Sequence, residues 1–146
     1  MIKAKDLRIG DLVIVNENCS LEQGTIGKVS EVRSTPLYKE NEGSIGLKPI
    51  SDDRWPWGVL CRNIDPIPLT PEILKKNGWK KRTEGWYFMM ISKYMYLSVE
   101  FGYENGIRVF LKRTTDGLYV KLNTANNVHE LQHILWALGK DANLKI

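Results

Sequence analysis

A chain of 146 residues with 42% hydrophobic and 26% charged side chains is long and apolar enough for one ordinary domain or two very small ones, which excludes a disordered segment. No apolar run approaches the ~18 residues of a membrane span, and the opening "MIKAKDLRIG" meets Asp6 without a small-residue cleavage site, so a cytoplasmic address is expected. The net charge of +4 is uneven: residues 1–73 carry 9 basic and 11 acidic side chains, residues 74–146 carry 12 and 6, so contact with phosphate or an acidic partner falls to the second half.

The first half reads as short strands. "DLVIV" (11–15), "TIGKVSEV" (25–32), "SIGLKPI" (44–50) and "PWGVLCRNI" (56–64) are rich in β-branched residues and separated by the polar stretches "NENCSLEQG" and "SDDRWP". Such strands spaced by Gly, Asn and Asp predict a small barrel, which removes its own edges by closing. Cys19 and Cys61 lack a C-x-x-C partner and are expected to be two reduced thiols.

"IDPIPLTPEILKKNGW" (64–79) changes character. Pro66 and Pro68 end the strand region, because each lacks an amide donor. Thr70 caps a short helix with Pro71 in its first turn, Glu72 complements the positive end, Lys75 and Lys76 the negative end, and Gly78 stops it. Residues 84–123 then hold four apolar runs, with Asn105-Gly106 and Asp116-Gly117 at two of the turns, which predicts a four-stranded antiparallel meander. In "GIRVFLK", Ile107, Val109 and Leu111 share one face; Arg108, Phe110 and Lys112 share the other, which is expected to be partly wet. A final helix starts near Asn126 or Asn127 and ends at Gly139. At about 100° per residue, Val128, Leu131, Ile134, Leu135 and Leu138 form its apolar stripe.

That helix spells His129-Glu130-Leu131-Gln132-His133, the H-E-x-x-H spacing of zinc metalloproteases. On the wheel the imidazoles fall together, at about 100° and 140°, with Glu130 beside them as a general base would be. A catalytic zinc also needs a third protein ligand. The chain has no third histidine, Trp136 and Gly139 occupy the positions where the extended protease pattern wants Gly and His, and Asp141 is the sole acid after the motif. The favoured reading leaves both histidines facing solvent or a neighbouring part of the chain, with no metal and no cofactor; a zinc-dependent hydrolase on His129, His133 and Glu130 is the alternative.

"KKNGWKKRTEGW" interleaves Lys75, Lys76, Lys80, Lys81 and Arg82 with Trp79 and Trp86, cations for phosphates beside indoles for stacking. The same residues also fit lysines decorating a helix end with the tryptophans packed under a sheet. Trp55 and Trp57 flank Pro56 in a loop and mark a partner surface if exposed.

Three stretches, "KDLRIGDLV", the proline-rich middle and "NVHELQHILWALGKDANL", together resemble an uncharacterised family of small proteins from Bacteroides-type bacteria, their phages and mobile elements. His129, Leu131 and Gln132 match the family's terminal-helix pattern; His133 stands where Asn is usual, and Glu130 where Gln is frequent, which the zinc reading does not accommodate. "GDLVIV…GTIGKVSEV" further resembles the opening strands of SH3-like barrels, including the KOW type, which implies binding of RNA, protein or peptide. The glycines of such a turn answer to backbone geometry whatever the function.

The expected protein is therefore α+β. An SH3-like β-barrel at residues 1–66 precedes a 67–146 subdomain of helix, four-stranded antiparallel meander and C-terminal helix. Its expected role is that of a non-enzymatic binding or accessory protein of phage or mobile-element type. The protein or nucleic-acid partner is held through Lys75, Lys76, Trp79, Lys80, Lys81, Arg82, Trp55 and Trp57.

Overall fold

The computed structural model describes residues 2–17, 19–33, 43–52 and 55–146, which divide into two units, Met1–Ile67 and Pro68–Ile146. In the first unit five antiparallel strands, β1 (Leu12–Val15), β2 (Ile26–Arg33), β3 (Ser44–Pro49), β4 (Trp57–Leu60) and β5 (Ile64–Pro66), lie in the order β4-β3-β2-β1-β5. Val13, Val15, Val29, Ile45, Leu47, Val59 and Ile64 form its core with Ile2, Leu7 and Cys61. Gly10 turns the chain into β1 at φ 100°, and the carboxylate of buried Asp11 accepts the Arg8 amide at 2.7 Å. Gly27 is needed for space, since a Cβ there would lie 2.6 Å from Cγ of Leu47. Asp53 and Arg54 of the "SDDRWP" stretch, and Asn18 of "NENCSLEQG", lie outside the described residues.

Burial pushes the Cys61 thiol up, whereas Cys19 is exposed. Iodoacetamide at mildly alkaline pH is therefore expected to alkylate Cys19 and spare Cys61 until the protein unfolds. Equal rates at both thiols in the native protein would contradict this packing.

The second unit begins with α1 (Pro71–Lys76). Thr70 Oγ1 accepts the Ile73 amide at 3.4 Å, and Gly78 follows the helix at φ 80°. Hydrogen bonds from its own backbone amide and from Thr70 hold the Glu72 carboxyl below the usual range, as expected at a helix N-terminus. Five strands follow as a continuous antiparallel meander: β6 (Lys80–Thr83), β7 (Trp86–Ser92), β8 (Met95–Glu100), β9 (Arg108–Arg113) and β10 (Tyr119–Thr124). At the β8–β9 and β9–β10 turns Gly106 and Gly117 take the positive φ angles, 91° and 70°. Helix α2 (Val128–Ala137) packs on β10, burying Val128, Leu131 and Leu135.

The chain is thus mostly β, two five-stranded antiparallel sheets with two short helices, rather than an α+β protein of closed barrel and four-stranded meander. The barrel expectation gives way to an open sheet: β5 pairs with β1, where Val13 faces Pro66, but the edge strands β4 and β5, joined by the 3-10 turn at Cys61–Asn63, do not hydrogen-bond to each other as a ladder. Pro66 has no amide to donate and suits an edge strand. The four-stranded expectation fails at β6, whose Lys-Lys-Arg-Thr sequence has no apolar residue to alternate and is exposed throughout. Among the described residues no helix is long and apolar enough to cross a membrane.

Candidate functional site

In the second sheet, Tyr87, Leu97, Val99 and Val109 point to one side and are buried. The alternate positions form the other face, buried at its centre by Ser98 and Phe110 and open toward its margins, and the strand register arranges them in three cross-strand rows. The first row runs Thr83, Trp86, Glu100, Arg108, Thr124; the second Lys80, Phe88, Ser98, Phe110, Lys121; the third Met90, Tyr96, Lys112, Tyr119. Aromatic rings therefore occupy the middle of the sheet, while Lys80 and Lys121 close the two ends of one row.

At the centre is a largely buried polar network. Lys112 Nζ donates to Glu100 Oε1 at 2.6 Å, with both side chains 13% exposed. Ser98 Oγ donates to the same oxygen at 3.3 Å and accepts from Trp86 Nε1, and the Tyr103 hydroxyl donates to Glu100 Oε2 at 3.2 Å. The carboxylate is neutralised within the sheet, so it does not repel an anion above it. The Lys112 ammonium also stands 4.1 Å from the Trp86 ring centroid, the Arg82 guanidinium 5.1 Å from the same ring, and that of Arg108 3.7 Å from Tyr103. Such cation–π contacts hold the charges against the aromatic surface. A hollow of about 640 Å³ opens over this network, with Trp86, Arg108, Lys112, Tyr119 and Lys121 in its lining.

Of the residues singled out from sequence, Lys80 belongs to the open face, and Arg82 reaches it from the bulge between Lys81 and Thr83. Lys81 pairs with Glu84 at 2.5 Å; this hydrogen bond lowers the Glu84 carboxyl and raises the Lys81 amine, so the two charges cancel at neutral pH. Lys75 and Lys76 lie exposed in the last turn of α1. Trp79 is 4% exposed and belongs to the core, not to a stacking surface. Trp55 and Trp57 belong to the first unit, at 89% and 40% exposure. Phe88, Tyr96, Tyr119 and Lys121 escaped sequence reasoning as site residues. The wet face of Arg108, Phe110 and Lys112 was the signal, and extending its parity through the neighbouring strands collects them.

The H-E-x-x-H residues take other roles. The Glu130 carboxylate accepts the Asn127 backbone amide at 2.9 Å, closing a capping box at the start of α2. His129 is 5% exposed, so it does not face solvent. Beside it on the helix, Gln132 Nε2 donates to the Ala142 carbonyl at 2.9 Å, so the chain after Gly139 returns to the helix. The two imidazoles meet edge to face, 5.8 Å between centroids. Among the described residues no group of three or more His, Cys, Asp and Glu comes together. Glu130→Ala is expected to cost about 1 kcal/mol through the lost cap, read as a lower thermal midpoint; an unchanged midpoint would show that the carboxylate is not holding the helix start.

Comparison of the chain with protein families, with curated protein sequences and with solved structures finds no match.

Proposed function

We propose that the protein is a non-enzymatic binding module that holds single-stranded nucleic acid on the open face of its second sheet. The observation carrying this reading is the margin of that face: Lys80, Arg82 and Lys121 stand exposed, and the accessible rings of Trp86, Phe88, Tyr96 and Tyr119 lie between them, over the buried Ser98 and Phe110. Unpaired bases gain about 1–3 kcal/mol each by stacking on such rings, while phosphates release counterions to the cations. The second unit has 12 basic and 7 acidic side chains, so its net charge favours a polyanion. In a duplex the base faces are already stacked and give the rings nothing to hold. The resemblance of three stretches to the phage and mobile-element family supports an accessory role in that setting.

Anisotropy of a fluorescent strand of about twelve nucleotides tests the reading. Binding is expected to weaken steeply between about 50 and 200 mM salt and to be weaker for the corresponding duplex. No binding, or binding indifferent to salt, would leave a protein partner as the surviving idea. Trp55, 89% exposed in the first unit, is the surface feature that favours that second reading.

A further inference from the structure

Beside the large hollow, the open face holds a smaller one of about 310 Å³, lined by Arg82, Phe88, Met90, Tyr96 and Thr114. We infer that this pocket receives one unpaired nucleobase, an assignment that rests on the single-strand reading above and goes beyond it by placing a base at a named site.

The lining is apolar where a ring would sit and polar at the rim. Phe88 and Tyr96 meet edge to face at 5.9 Å, leaving a corner between their rings, and the half-exposed Met90 side chain forms a further wall. A thioether is polarisable and makes favourable contact with an aromatic edge, so Met90 adapts to a planar guest better than a rigid aliphatic residue. At the rim, Arg82 Nη1 donates to the Tyr96 hydroxyl at 3.3 Å while its guanidinium leans on Trp86. Arg82 is thereby held between the small pocket and the large hollow. Its remaining N–H groups are available to the acceptor edge of a base or to the adjoining phosphate. Lys112 also lies against Trp86, but its charge is matched by Glu100, which leaves Arg82 as the cation at this rim. An apolar slot with a cation at its rim matches a base attached to an anionic backbone. A free apolar side chain would make no use of Arg82, and a bare polyanion none of Phe88 and Met90.

The experiment compares a strand of about eight abasic sugar-phosphate units with the same strand carrying one central guanine. Wild-type protein is expected to bind the one-base strand about ten-fold more tightly, the gain from stacking a single base. Met90→Gln, which keeps length and charge but makes the wall polar, is expected to abolish most of that gain while binding the fully abasic strand within about two-fold of wild type. The retained abasic affinity shows that the variant folds and keeps its phosphate contacts. Equal wild-type affinity for the two strands, or a full base gain in Met90→Gln, overturns the pocket and leaves the general reading standing provided a natural strand still binds. A natural strand that fails to bind overturns both.

Discussion

Replacing Lys112 by Met is expected to destabilise the second unit by about 3 kcal/mol, the low end of the penalty for removing one partner of a buried ion pair. Glu100 lies on β8, at the middle of the sheet, with its side chain 13% exposed and Lys112 Nζ 2.6 Å away. Without the ammonium, Ser98 and Tyr103 still donate to the carboxylate, but no positive charge balances it in a poorly hydrated place. The contact of the cation with Trp86 goes as well. Urea unfolding followed by tryptophan fluorescence measures the loss. The double variant Lys112→Met/Glu100→Gln should recover most of it, because replacing both charges removes the stranded one. A single variant as stable as wild type would mean that the pair is solvated and that the network does not organise the face.

The second large effect concerns binding. Changing Lys80, Arg82 and Lys121 together to Ala is expected to weaken single-strand affinity about a hundred-fold at moderate salt and to flatten the log–log salt dependence by about two. Each of the three contributes one unpaired charge to the rim if it meets a phosphate. All three are exposed, so fold stability should change little. The slope is the more telling readout, since a conformational defect lowers affinity without changing how many counterions are released. An unaltered slope would show that phosphates lie elsewhere.

Local punctuation made parts of this architecture legible. Thr70, Pro71 and Gly78 bracket α1 because a capping oxygen, a missing amide and a left-handed turn are properties of single residues. Gly106 and Gly117 mark hairpin turns for the same reason. What one stretch cannot show is its partner: the sequences of β4 and β5 do not announce that these two edges stay unpaired with each other while β5 pairs with β1. β6 went unseen because its pairing with β7 supplies a structure that its own side chains do not encode.

The candidate site divides similarly. Arg108, Phe110 and Lys112 share a face by strand period alone, but their meeting with Trp86, Tyr96 and Glu100 depends on register across three strands. Trp79 and Trp86 look alike in sequence, yet one is core and the other lies under Lys112, because one precedes β6 and the other opens β7. His129 and Gln132 are buried off the aliphatic stripe, and Gln132 is met by chain that returns after the helix, which no helical wheel contains.

Ultraviolet crosslinking of the protein to an unmodified single strand, followed by peptide mapping, puts the location of the contact to the most direct test. Adducts are expected on Trp86, Phe88, Tyr96 and Tyr119, whose rings share the open face. Adducts confined to the first unit, or to α2 on the opposite side of its sheet from these rings, would contradict it.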